Sequence, residues 1–184
     1  MINKNSIGLI ELSSIASGML ASDTMLKTSE VELILSRSIC SGKYMVLIGG
    51  DVAAVQAAVT SAEEIVRGSV IDTFVIPNVH PDIFPAISGQ NEVDELKALG
   101  ILEAFSVASL IEGADAAAKS SNIKLIEVRL AMALGGKAYC TLTGDVAAVT
   151  SAIDSGALVI AEKGMLVNKL VIANPRKELL SEKL

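Results

Sequence analysis

The hexapeptide Gly50-Asp51-Val52-Ala53-Ala54-Val55 occurs a second time, letter for letter, from Gly144 to Val149. A second matching pair, Ile7 to Glu11 and Leu99 to Glu103, shares a Gly flanked by Ile or Leu and a closing Glu. The offset is 92 residues for that pair (99 − 7) and 94 for the hexapeptides (144 − 50). Because half of the 184-residue chain is also 92 residues, the repeat accounts for the whole chain as two similar units.

Each copy has the hydrophobic pattern of strand, helix, strand, strand, helix, strand. Asp51 stands where it can cap the second helix of the first copy, and Gly49-Gly50 is expected to end the strand before it. This βαββαβ order predicts an α+β fold with two tandem ferredoxin-like domains, each a mainly antiparallel sheet with helices on one face. The expected strands and helices are Ser6–Leu12, Ser13–Lys27, Val31–Ile39, Lys43–Ile48, Val52–Arg67 and Val70–Ile76, then Leu99–Ala104, Val107–Lys119, Ile123–Ala131, Ala138–Leu142, Val146–Ile160 and Lys169–Ile172.

The domain boundaries follow from the repeat. We expect a first domain over residues 5–79 and a second over residues 98–176. Residues 80–97, which carry Pro81 and Pro85 and end in charged residues, form the expected linker. Residues 177–184 form a charged tail, either a short helix or frayed.

Composition excludes several classes of protein. The net charge is −6 and the 15 basic residues are scattered, so there is no basic stripe for nucleic acid. No apolar run approaches the ~18–20 residues that cross a bilayer, and the polar start of the chain lacks the apolar stretch of a signal peptide. The sequence is therefore expected to be a cytoplasmic, soluble protein without membrane contact. Since 51% of its residues are hydrophobic, it is expected to be an oligomer.

Catalytic constellations are sparse, and no enzyme is expected. The single histidine, His80, lies in a Pro-rich segment without a neighbouring nucleophile or second ligand, which favours a turn residue or a linker contact. Glu11 and Glu103 end the first strand of both copies, so a structural role is favoured for both.

The two cysteines differ in kind. Cys140 aligns with Val46 at the offset of 94, which predicts a small buried residue. Cys40 lies at the lip of the Ser41-Gly42 turn between the second and third strands, where its thiol is expected to be exposed. One thiolate cannot hold an iron–sulfur cluster, which takes about four ligands. At a three-fold axis, however, three chains would supply three thiolates.

These residues resemble the shell domains of bacterial microcompartments. The resemblance rests on the strand that ends in Glu, the Ala-rich helix ending near Asp and Lys, the Gly-Lys turn and the repeated hexapeptide, and it recurs in both halves. Ser36 to Lys43, Asn78 to Pro81 and Pro85 to Gly89 are similar to the tandem-domain shell proteins of propanediol-utilisation microcompartments.

This resemblance implies a homotrimeric shell protein that looks like a hexamer and tiles with other shell proteins, in the microcompartment shell in the cytoplasm. It implies a 4Fe-4S cluster at the three-fold axis, shared by three subunits with Cys40 as the metal ligand, which relays electrons to a redox enzyme at the shell or delivers the cluster. The family turn often has Pro where this chain has Ser41, which makes the turn less rigid. The pore-lining residues implied are Ser38, Ile39, Ser41, Gly42, Leu134, Gly135 and Gly136.

Three points stay open at the level of sequence. Lys43 would soften the negative charge of the cluster only if its side chain pointed to the axis, which the sequence does not decide. A shell trimer without metal, whose Cys40 turns line or block a pore for small metabolites, fits the small polar turn equally well. A ferredoxin-like sensor that binds a small effector between subunits is the alternative from another class.

Overall fold

The computed structural model describes residues 5–40, 42–91, 93, 95–130 and 136–180. The chain forms two compact units, Met1–Val79 and His80–Leu184, called unit 1 and unit 2 below. Three of the residues expected to line a pore, Ser41, Leu134 and Gly135, lie outside the described residues.

Unit 1 is a four-stranded antiparallel sheet with two helices on one face. Its strand order is β2-β3-β1-β4, with β1 pairing antiparallel to both β3 and β4. Helices α1 and α2 share one core with Ile10, Val46 and Ile48, which lie on the same face of the sheet. The elements are β1 (Ser6–Leu12), α1 (Ile15–Thr28), β2 (Glu32–Ile39), β3 (Lys43–Gly50), α2 (Val52–Ile65) and β4 (Val70–Pro77).

Unit 2 repeats this topology with the strand order β6-β7-β5-β8. The expectation of two tandem ferredoxin-like domains is therefore confirmed. A short helix, α3, precedes the repeat; it lies in the expected linker, where no helix was predicted. The elements are α3 (Ile83–Ile87), β5 (Ala98–Ala104), α4 (Val107–Ser120), β6 (Lys124–Arg129), β7 (Ala138–Gly144), α5 (Val146–Glu162) and β8 (Leu166–Ala173).

Side-chain caps mark where the helices begin. Ser14 and Ser106 each accept a hydrogen bond from the backbone N–H three residues later, at 3.3 and 3.2 Å. The predicted cap at Asp51 is confirmed, since its carboxylate accepts the N–H of Ala53 at 3.0 Å. Such caps satisfy N–H groups that have no partner within the helix.

Among the strand ends that differ from the prediction, two are informative. Gly49 and Gly50 were expected to end the third strand, but they stay in the ladder and pair with Ile7 and Ser6. Strand β8 begins at Leu166, three residues before the predicted start, and Leu166 pairs with Ala104. The corresponding pair in unit 1 is Leu12 with Val70, so the repeat offset grows to 96 (166 − 70).

Helices α4 and α5 approach each other closely at two glycines. A Cβ on Gly156 would lie 2.5 Å from the carbonyl oxygen of Gly113, and one on Gly113 would lie 2.9 Å from that of Gly156. The repeat places Ala21 and Ala62 at these positions in unit 1. The close approach is therefore specific to unit 2.

We predict that Gly156→Ala destabilises the protein, because the methyl group meets backbone that cannot rotate away. Overpacking of this kind costs about 1–3 kcal/mol, and the melting temperature should fall accordingly. Gly68→Ala is the matched control, since a Cβ there meets nothing within 4 Å. Equal melting temperatures for the two variants would contradict this account of the helix contact.

Candidate functional site: the hairpin turn at Cys40

The hairpin between β2 and β3 closes with three residues. Ile39 pairs with Lys43, and Cys40 and Gly42 are the described residues of the loop between them. Gly42 has φ +73°, a left-handed conformation that glycine adopts without steric cost. A three-residue hairpin loop typically ends in such a residue. This geometry places Cys40 at the tip of the hairpin, where it is half-buried, beside the exposed Ser38.

The turn in unit 2 is longer, as the change of offset implies. Strand β6 ends at Arg129 and β7 begins at Ala138. Gly136, the described glycine of this turn, has φ +87°. Residues 131–135 contain no cysteine, so the two turns differ both in length and in chemistry.

An ion pair fixes the base of each hairpin. Lys43 Nζ lies 2.7 Å from Glu11 Oε1, and Lys137 Nζ lies 2.5 Å from Glu103 Oε1. The Glu11 side chain is 5% exposed, against 28% for Glu103. Each glutamate thus has the structural role favoured from the sequence, because it binds the lysine at the base of its hairpin. Lys43 points to Glu11, since its amine is bound there.

A polar network supports the hairpin of unit 1 from below. The hydroxyls of Ser22 and Ser36 lie 2.7 Å apart, and that of Ser36 lies 3.0 Å from the Tyr44 hydroxyl. The Tyr44 ring lies under Gly18, where a Cβ would clash with it. At the positions of Ser22, Ser36 and Tyr44, unit 2 has Ala114, Val128 and Ala138, so the network exists in unit 1 alone.

Sequence reasoning missed both of these features. The signal for the network lies in the alignment of the two halves, where three residues with hydroxyl groups in the first copy align with three apolar residues in the second. The ion pair joins residues 32 positions apart. Its signal was the Glu and the Lys that recur at equivalent positions in both copies.

Cys140 is a buried core residue, as predicted. It is 0% exposed and pairs with Leu102 in the position that Val46 and Ile10 occupy in unit 1. Burial raises the pKa of its thiol to about 12. The thiol therefore stays protonated near neutral pH, and its enclosure in the core keeps it from reaching a metal at the turn.

His80 makes a linker contact, as favoured from the sequence. Its backbone N–H donates to Asp115 Oδ1 at 2.7 Å, and the N–H of Asp82 donates to its Nδ1 at 3.3 Å. Within the described part of a single chain, no three His, Cys, Asp or Glu residues lie close enough together to hold a metal ion. Residues of one chain, as far as described, thus do not form a complete metal site.

The described residues among those expected to line a pore differ in exposure. Ser38 is exposed and Gly42 lies at the tip, whereas Ile39 is 7% exposed in the chain. Gly136 is half-buried in the longer turn of unit 2.

Comparison with known proteins identifies the family. The BMC domain model matches residues 6–79 and 98–175, which is most of the chain. The chain belongs to the BMC-domain family. The microcompartment shell protein PduT of Citrobacter freundii is 44% identical over 173 residues, which cover 94% of both chains. EutM of Salmonella typhimurium, also a microcompartment shell protein, is 37% identical over 84 residues, which cover 46% of this chain and 85% of that protein.

Solved structures agree with this assignment. A microcompartment protein from Desulfitobacterium hafniense superposes with a TM-score of 0.90 at 50% identity, covering 95% of this chain and 97% of that one. This BMC-domain chain is a structural shell protein of a bacterial microcompartment rather than an enzyme, as the sequence indicated. Among the described residues, no helix is long and apolar enough to cross a membrane.

We predict that the two hairpin ion pairs contribute unequally to stability. Lys43→Met leaves Glu11 buried without its cation and should cost about 2–3 kcal/mol, at or below the range measured for broken buried pairs because Lys43 is partly exposed. Lys137→Met should cost less, because Glu103 keeps more contact with water. Urea unfolding of both variants measures the difference. Equal losses would show that burial of the glutamate does not decide the effect.

Proposed function

We propose that this shell protein assembles as a homotrimer with an iron–sulfur cluster, of the 4Fe-4S type, held by three copies of Cys40 at its central pore. The cluster transfers electrons across the shell to a redox enzyme, or is delivered through it, in a microcompartment of the propanediol-utilisation type. The observation that carries the proposal is the hairpin tip itself: one of the two equivalent turns carries a half-buried cysteine, and the other has none.

The first support for assembly comes from helix α1. Ile15, Met19 and Leu26 are 44%, 60% and 46% exposed. Their counterparts on α4 are all buried, at 2%, 0% and 6% exposure: Val107, Ile111 and Ala118. An apolar helix stripe that is exposed in one repeat and buried in the other calls for a partner.

The second support comes from the sheets, where the relation is reversed. On the face away from the helices, Leu9, Met45 and Leu47 of unit 1 are 0% exposed. The residues at the equivalent positions of unit 2 are half-buried: Ile101, Tyr139 and Thr141. The open sheet face therefore belongs to unit 2, whereas the open helix stripe belongs to unit 1.

An open helix face and an open sheet face at different places on one chain suit a head-to-tail contact between copies. Such heterologous contacts close into rings when the rotation between copies allows it. Three chains of two units each give a ring with six similar positions, three of which carry the cysteine turn.

The donor chemistry of the turn fits an iron–sulfur cluster. Iron–sulfur clusters take Cys thiolates as their protein ligands, and Cys40 is half-buried at a hairpin tip rather than enclosed in a core. Cys140 is excluded as a ligand by its burial. Lys43 is bound to Glu11. In the proposed trimer, backbone N–H groups of the turn, such as that of Gly42, would donate to cluster sulfur and tune its potential. The cluster would supply one-electron transfer.

A second candidate is a trimer without metal, whose turn lines a pore for small metabolites. It is favoured by the exposed hydroxyl of Ser38 beside the small Gly42. The two candidates share the assembly and differ in whether the turn holds iron.

We predict that Cys40→Ser abolishes iron binding, because the alcohol does not replace the thiolate as a ligand. The protein is purified without oxygen and reconstituted, and iron, sulfide and the EPR spectrum are measured. Cys140→Val is the matched control, since Val46 fills that position in unit 1, and it should bind iron like the parent protein. A parent trimer that holds no iron after reconstitution refutes the cluster and leaves the metabolite pore.

We predict that Met19→Asp dissociates the trimer, because it places a charge in the apolar stripe of α1. The mass in solution, measured by light scattering or sedimentation, should fall toward the 19.1 kDa of a single chain. Ile65→Asp is the control, as Ile65 is similarly exposed (56%) but lies on α2. If the Met19 variant remained trimeric, α1 would not be part of the subunit interface.

A further inference from the structure

The segment that follows β4 covers the edge of the sheet in unit 2. Lys124 Nζ, at the start of edge strand β6, lies 3.4 Å from Asp82 Oδ1. Asn91 Nδ2 donates to the Leu125 carbonyl at 2.8 Å. Ile83 of α3 is 0% exposed, as is Leu125. Coverage of this kind at the start of an edge strand blocks part of the surface on which another chain could pair.

The chain leaves the last strand of each unit in the same backbone conformation. Asn78 follows β4 with φ 52°, and Asn174 follows β8 with φ 48°. From these asparagines onward the offset is 96 (174 − 78), which places Glu178 at the position of Asp82 and Leu179 at that of Ile83. Leu179, however, is 50% exposed, whereas Ile83 is buried.

Edge strand β2 of unit 1 is the counterpart of β6, and its first two residues are exposed. Leu33 stands at the position of Leu125 but is 39% exposed. Leu33 and Leu179 thus form a matched pair: both are exposed, and both of their counterparts are buried. Each of the two leucines therefore leaves an apolar side chain open to a partner.

Charge favours contact between the segment after β8 and the β2 side of unit 1 at one point and opposes it at another. Arg176 stands at the position of His80, whose backbone N–H donates to Asp115. The counterpart of Asp115 in unit 1 is Asp23, so the basic Arg176 would meet an acidic residue. The Asp82–Lys124 pair has no counterpart, because Glu32 stands at the position of Lys124. The contact would therefore depend on the leucines and on Arg176, with Glu32 facing Glu178.

We propose that the segment Pro175–Leu180 of one copy docks on strand β2 of a second copy, as residues 80–91 dock on β6. This inference rests on the head-to-tail assembly proposed above. It assigns the C-terminal segment the role of a clasp between neighbouring subunits, repeating at the subunit boundary what the linker does on β6.

Cross-linking of the full chain tests the clasp. The double variant Leu33→Cys/Leu179→Cys is treated with a short bismaleimide, and the products are sized on a denaturing gel. We expect products of two and three chains. The control is Ile65→Cys/Leu179→Cys, because Ile65 lies at the other end of the unit 1 sheet from Glu32. The single variants report any product formed through Cys40.

Each result decides one question. A trimer in solution that gives no more cross-linked product than the controls overturns the clasp and leaves the assembly intact. A link within one chain, recognised by its monomer mass, overturns it as well. A protein that is monomeric in solution refutes the assembly and the clasp with it.

Charge restoration is an independent measurement. Glu32→Lys recreates the cation that Lys124 provides and should tighten the trimer about two- to fivefold, the size expected of an exposed ion pair. Glu64→Lys, an equal charge change on exposed α2, should leave trimer dissociation unchanged. If Glu32→Lys weakens the trimer or has the same effect as Glu64→Lys, Glu178 does not face β2.

Discussion

A sheet with helices on one face has a second face that must be covered, and this constraint governs the molecule. In unit 1 the centre of the second face is apolar and buried, with Leu9, Met45 and Leu47 at 0% exposure. In unit 2 the same positions hold Ile101, Tyr139 and Thr141, which remain half-buried. The two helices of a unit pack on one face of its sheet and cannot cover the other. The remaining surface has to come from outside the unit.

The cysteine hairpin is anchored within a single chain, independently of the proposed assembly. The Lys43–Glu11 ion pair and the Ser22–Ser36–Tyr44 network both lie within unit 1, so the base of the turn is fixed in a single chain. Fixed hairpins would meet at an axis without first having to fold there, which reduces the entropy lost on assembly. Three thiolates near one point repel one another, however. In the proposed trimer, a cation between them would be needed to offset that repulsion.

The sequence was sufficient for what is local or repeated. The two units, the topology, the cap at Asp51 and the burial of Cys140 each follow from short-range patterns or from the alignment of the halves. Helix α3 could not be predicted in this way, because a five-residue helix that contains Pro85 has little periodicity. The early start of β8 was not predicted either. The Lys43–Glu11 pair and the Tyr44 network depend on strands that are brought together by the fold. Tertiary contacts of this kind leave only indirect signals in a single sequence.

Comparison of the two copies separates the role of the scaffold from the role of the site. Features kept in both, such as the Glu–Lys pair and the left-handed asparagine after the last strand, belong to the fold. The cysteine is not kept, and this asymmetry has a physical consequence. A ring of six equivalent turns would bring six thiolates to the axis, more than a four-iron cluster has iron atoms to bind. One cysteine per chain would bring three, which leaves one iron without a protein thiolate and open to a small ligand or a partner.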